Sequence, residues 1–132
     1  MSPDGRWVIV SVVEPLYDDS KQVSDLWIVP SDGSAKPRRL TANKASESGV
    51  AWSPDSRRIA FSSKREGDDA AQIYVLSLDG GEAMRMTNLS TGANNPLWRP
   101  DGRALAFQSS VYPGAADDAA NKKIADERKA RK

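Results

Sequence analysis

The sequence predicts an all-β fold of antiparallel four-stranded units followed by a helical tail, and three observations predict it. A proline-aspartate phrase occurs three times, as SPDGRWVIV at Ser2 to Val10, WSPDSRRIAF at Trp52 to Phe61 and WRPDGRALAF at Trp98 to Phe107. A second phrase keeps step with it, DLWIVPSDGSAKPRRLT from Asp25 being echoed by QIYVLSLDGGEAMRMT from Gln72. The runs between these turns alternate or stay apolar for about five residues and are rich in β-branched and aromatic types, as buried strands are. No 3.6-residue periodicity occurs before the tail.

The repeat prolines Pro3, Pro54 and Pro100 are 51 and 46 residues apart. A period of roughly 40 to 50 residues belongs to a propeller blade or to a helical repeat, and the strand pattern selects the blade. Each unit then reads as four strands, A to D. Proline presets φ, aspartate bonds its own backbone and glycine accepts positive φ, so Pro3-Asp4-Gly5, Pro54-Asp55 and Pro100-Asp101-Gly102 are hairpin turns between A and B. Ser56 replaces the glycine in the middle copy, which is tolerable if that position is not strictly left-handed. Asp-Gly pairs at Asp32-Gly33 and Asp79-Gly80 mark the turns between C and D.

In the middle unit the strands fall near Val50 to Ser53, Arg58 to Ser63, Gln72 to Leu78 and Ala83 to Thr87. The first unit lacks strand A and the third stops after strand B, which makes nine strands. The expected organisation is an incomplete β-propeller over residues 1–112, in units 1–44, 45–92 and 93–112, with a helical insertion or tail over 113–132. Trp52 and Trp98 on strand A, and Trp27 and Tyr74 on strand C, sit at equivalent positions, where aromatics mostly pack blade against blade. In the tail, Asp117 and Asp118 near the start and Arg128, Lys129, Arg131 and Lys132 at the end complement a helix dipole.

The composition excludes several chemistries. The chain of 132 residues has no cysteine and no histidine, so disulfides, thiolate or imidazole zinc sites and a Ser-His-Asp triad are all ruled out for it. A formal net charge of +1 argues for no nucleic-acid partner and no anionic membrane. The longest apolar run, Trp7 to Val13, is too short to span a bilayer. Met1 leads straight into a repeat turn with no secretory signal, so the chain is expected to begin inside a repeat.

The pattern WSPDG+xIAF followed by xIYxxxxDGG and LT resembles the repeats shared by TolB-like periplasmic proteins and by the propellers of prolyl oligopeptidase family serine peptidases. The resemblance covers residues 2 to about 112. The stretch Phe107 to Lys132 is similar to a helical insertion in acylaminoacyl-peptidase-like members. Such a peptidase propeller caps an α/β-hydrolase domain that carries all catalytic residues and filters the peptides that reach it. The resemblance therefore implies a non-catalytic segment, partnered by a hydrolase domain and a peptide substrate and needing no cofactor or metal. A TolB-like interaction module is the alternative, and both periplasm and cytoplasm stay open as compartments. No G-x-S-x-G elbow is present, and no catalytic residue carries over. Glu14, Glu47, Glu66, Glu82 and Glu127 are scattered, without the glutamate pair that holds a substrate amino terminus in dipeptidyl-peptidase relatives.

Paired aspartates recur between strands B and C, at Asp18 and Asp19, Asp68 and Asp69, and Asp117 and Asp118. Connections B-to-C emerge on one face of a propeller, so these pairs are expected to form an acidic face, either simply solvated or open to a cationic peptide terminus or calcium. The isolated chain is expected to self-associate, because its outer units would expose Trp7, Val8 and Phe107.

Overall fold

A computed structural model describes residues 1–15, 22–42 and 45–131. Three antiparallel sheets follow one another along the chain. The first is ordered β1 (Trp7–Pro15), β2 (Gln22–Pro30), β3 (Arg38–Arg39). The second is the complete blade: β4 (Glu47–Trp52), β5 (Arg58–Ser63), β6 (Gln72–Ser77), β7 (Met84–Arg85). The third holds β8 (Asn94–Trp98) and β9 (Leu105–Gln108), and α1 (Asp118–Ala130) ends the chain. This is a partial β-propeller with a C-terminal helix, and the stack does not close. None of the described helices is long and apolar enough to cross a membrane.

The middle blade is buried on both faces because its neighbours cover both. Ile59 pairs with Leu76 and Phe61 with Tyr74, and these four face Leu26 of the first blade. One residue out of phase, Ala60, Ile73 and Val75 face Ala93, Trp98 and Leu105 of the third. The two-residue period of a strand divides one sequence between two interfaces.

The repeat turns are built alike. Ser2 Oγ donates to Asp4 Oδ1 at 2.6 Å and accepts the Trp7 amide at 3.0 Å, while Asp4 Oδ1 also accepts the Arg6 amide. Ser53, Asp55, Arg57 and Arg58 repeat this arrangement, with both serines buried. In the third copy Arg99 stands where serine was, and its guanidinium takes both oxygens of Asp101. The bonds from Ser2, Ser53 and Arg99, followed by the backbone amides of Arg6, Arg57 and Arg103, hold the three aspartates below the usual carboxylate range.

Ser56 corrects the expectation for its turn. Its φ is 60°, so the position is left-handed after all, and serine occupies it with strain. Its hydroxyl compensates by accepting the Asp4 amide of the neighbouring blade at 3.1 Å.

Strand A of the middle blade starts at Glu47, three residues earlier than expected, because a bulge between Ser48 and Ala51 lets pairing resume beyond it. An equivalent bulge lies between Asn94 and Leu97. Strand D is only two residues long. On the first sheet Trp7 and Val8 are half-buried, and the exposed apolar residues are Val10, Val12 and Val13; Phe107 is exposed on the third.

Candidate functional site

Polar side chains concentrate where the B-to-C connection of the middle blade meets the strand ends on either side of the D-to-A connection between the first two blades. β2 contributes Asp25, β3 Arg39, the start of β4 Glu47, β7 Arg85, and the β5–β6 connection Arg65 and Asp68. Three carboxylates thus face three guanidinium groups.

The local reasons are legible in the strands. Thr41 follows β3 and its Oγ1 accepts the Leu26 amide at 2.9 Å, as Thr87 accepts the Ile73 amide after β7. Each threonine turns the end of strand D back onto strand C. Arg39 Nε then reaches the Thr41 carbonyl at 3.0 Å, and its Nη2 pairs with Asp25. That bond to Asp25 holds the Arg39 guanidinium above its usual range.

Arg65 is the centre of the group. Its guanidinium lies 4.7 Å from the Tyr74 ring centroid and 5.5 Å from that of Phe61, a cation–π pairing over the two stacked rings. It stands 3.5 Å from Glu47 Oε1. Asp68 Oδ2 accepts the Tyr74 hydroxyl at 2.6 Å and the Arg65 amide at 3.0 Å, and Oδ1 accepts Arg85 at 2.8 Å. Burial works to raise the Asp68 carboxyl, but these bonds together outweigh it and hold the group below the usual range. Burial, helped by Asp68, pushes the Tyr74 phenol up to about 12.

Glu47 is less well served. Its side chain is fully buried, and neither of its oxygens has a hydrogen-bond partner of ordinary geometry among the described residues; the same holds for Asp25 Oδ1 and Arg65 Nε. Burial pushes the Glu47 carboxyl above its ordinary value, against the partial pull of Thr41 and Arg65. A cleft of about 470 Å³ opens beside the group, bordered by Thr41, Arg65, Leu76 and Glu82. Among the described residues nothing pairs a nucleophile with a base here, and the arrangement is one that binds and orders the blades.

The paired aspartates have separate fates. Asp68 belongs to the charged group, and Asp69 beside it is exposed. Asp117 caps α1 by accepting the Ala120 amide at 2.8 Å. Asp118 accepts the amide and the hydroxyl of Ser90, tying the helix to the D-to-A connection of the middle blade. Asp18 and Asp19 lie outside the described residues. Glu47, Asp25 and Arg65 escaped the sequence reading, although aligning the units places polar Asp25 and Gln72 at the same strand-C start, and Thr41 and Thr87 at the same strand-D end.

The residues matched by a family model settle the lineage, since the TolB beta propeller domain model (PD40) spans residues 1–126. The chain belongs to the TolB β-propeller family. This TolB-family propeller is 33% identical, over 89% of its length, to the uncharacterized peptidase YuxL of Bacillus subtilis, of which it covers 20%. It is 30% identical, again over 89% of its length, to dipeptidyl-peptidase 5 of Porphyromonas endodontalis, of which it covers 17%. The chain therefore spans about a fifth of these curated relatives. A solved structure assigned as TolB from Agrobacterium tumefaciens superposes with a TM-score of 0.67 at 31% identity, covering 83% of this chain and 36% of that one. The resemblance to peptidase propellers read from the repeats is borne out: those two relatives match over the propeller region.

Proposed function

We propose that this propeller is a non-catalytic segment of a serine peptidase, which scaffolds an α/β-hydrolase domain and gates the access of peptides to it. The observation that carries this reading is the match of nine-tenths of the chain to the peptidase YuxL. The lack of histidine agrees with it, because catalysis would have to be supplied elsewhere. In this reading the charged group around Arg65 keeps two blades in fixed register, and the exposed Asp69 is a carboxylate placed to meet a cationic peptide terminus.

A TolB-like interaction module without an enzyme is the second reading, favoured by the likeness to the Agrobacterium structure. Sequencing the gene beyond the codon for Lys132 separates the two. A hydrolase pattern with G-x-S-x-G supports the peptidase propeller; further repeats ending in a stop codon overturn it in favour of the interaction module.

A further inference from the structure

The two joints between blades share one frame and fill it with different side chains. Thr41 and Thr87 accept the equivalent amides of Leu26 and Ile73, which places Asp25 and Gln72 at matching strand-C starts. Glu47 and Ala93 match in turn, each lying seven residues before its repeat proline. In the joint between the middle and third blades Gln72 is both donor and acceptor: its Nε2 donates to the Leu89 carbonyl at 2.7 Å, and its Oε1 accepts the Thr87 hydroxyl at 2.7 Å and the Leu89 amide at 3.0 Å. Ala93 is fully buried there with Ala60 and Ile73. The joint between the first two blades has an acid at both positions. A carboxylate at Asp25 has no proton to donate, and Glu47 brings a carboxyl to the place of a methyl group.

Ser24, next to Asp25, donates its amide to Ser46 Oγ at 3.2 Å and its hydroxyl to the Glu47 carbonyl at 3.4 Å, so the starts of β2 and β4 meet across this joint. The Asp25 and Glu47 side chains are 5% and 0% exposed. Asp25 Oδ2 is paired with Arg39, but Asp25 Oδ1 and both Glu47 oxygens have no hydrogen-bond donor of ordinary geometry among the described residues. Arg65 stands 3.5 Å from Glu47 Oε1 and is drawn over the rings of Tyr74 and Phe61. The other charged or titratable groups around the joint are Asp68, which binds Arg85 and the Tyr74 hydroxyl, and exposed Glu14 on β1, which acts on Arg39. The joint lacks a donor where its counterpart has the Gln72 amide.

We propose that Glu47 supplies this donor by carrying a proton directed at Asp25 Oδ1, and that the joint between the first two blades is tight only while that proton is held. Burial first, and the Asp25 charge with it, hold the Glu47 carboxyl above its ordinary value against Thr41 and Arg65. Loss of the proton leaves two buried carboxylates with no donor between them, and the joint loosens. The joint therefore weakens as pH rises through the raised value of Glu47, whereas the joint built on Gln72 and Ala93 has nothing to titrate at these positions. The inference stands under either functional reading, because it rests on the comparison of the two joints.

The test follows the carbon-13 shift of the Glu47 carboxyl in the full chain as pH is raised, together with hydrogen exchange of the Leu26 amide, corrected for its intrinsic rate. The Ile73 amide, its counterpart in the other joint, is the internal reference. The expected Glu47 midpoint lies above 4.5 and falls when Asp25→Asn brings an amide donor and removes a charge. Protection of Leu26 relative to Ile73 should drop over the same step, by about tenfold for each pH unit that separates the midpoint from 4.5. Asp25→Gln with Glu47→Ala rebuilds the first joint on the pattern of the second, and should abolish the drop. Glu47→Gln, a permanent donor of nearly the same shape, should abolish it too and keeps the test decisive should the double variant fail to fold. A Glu47 midpoint at or below 4.5, a midpoint indifferent to Asp25→Asn, or a drop that persists in Glu47→Gln would overturn the proposal.

Discussion

The hydroxyl of Ser56 accepts the backbone amide of Asp4 at 3.1 Å, joining two turns that lie 52 residues apart and in different blades. The residue that breaks the glycine pattern of the turn is thus the one that makes a contact between blades. Ser56→Ala keeps the left-handed strain and loses the bond, and should destabilise the fold by about 1 kcal/mol. Ser56→Gly loses the bond but relieves the strain, and should lie close to the wild type. Denaturant unfolding of both variants checks the sign, and equal losses would remove the compensation argument.

Gly92 is constrained twice. Its φ is +85°, and a Cβ there would stand 2.8 Å from the Ala71 carbonyl oxygen. Gly92→Ala should cost about 2 kcal/mol or more, visible as a lowered urea midpoint, because backbone and not a flexible side chain has to move.

Glu47 should give the fold an unusual pH response. Its carboxyl is held above the ordinary 4.5 by burial, so over the interval between that value and its raised one the folded state binds more protons than the unfolded state. Its contribution to stability therefore falls as pH rises through that window. Glu47→Gln lacks this proton, and the melting temperature of the variant should gain on the wild type as pH climbs from about 4.5. A pH-independent difference would show that Glu47 does not titrate abnormally.

Asp68 has the opposite sign. Its lowered carboxyl contributes stability above the ordinary aspartate range, and that contribution is lost as pH falls through the folded-state value. Tyr74→Phe removes the hydroxyl bond and should cost about 1 kcal/mol near neutrality, while moving the acid loss to higher pH. In the wild type, ultraviolet titration should show a phenol ionising near 12, and this component should vanish in Tyr74→Phe.

The purified chain should hydrolyse no chromogenic aminoacyl substrate, since it has no histidine with which to build a triad. Turnover that survives repurification and tracks the protein peak would contradict both functional readings.

Features written in short spans of chain were legible in advance. The turns at Pro3, Pro54 and Pro100 depend on four or five consecutive residues, and the run Ile59 to Phe61 declares a strand buried on both faces by staying apolar at successive positions. The helix is announced by Asp117 at its start and basic residues at its end. The bulges at Gly49 and Asn95 were not legible, because they answer to the meeting of neighbouring strands and not to local propensity.

By itself, then, the sequence determined the repeat, its four-stranded unit, the absence of triad chemistry and the family that the match over residues 1–126 establishes. Only the tertiary structure decided that Glu47 is buried beside Arg65 without a hydrogen-bond partner of ordinary geometry among the described residues, that Asp68 is held by Tyr74 and Arg85, and that Phe107 stays open where Phe61 is covered. The physical reason is the same in each case. A strand's period tells which side chains share a face, but burial and the partners of a charge depend on which blade lies against that face, and that is settled by residues tens of positions away.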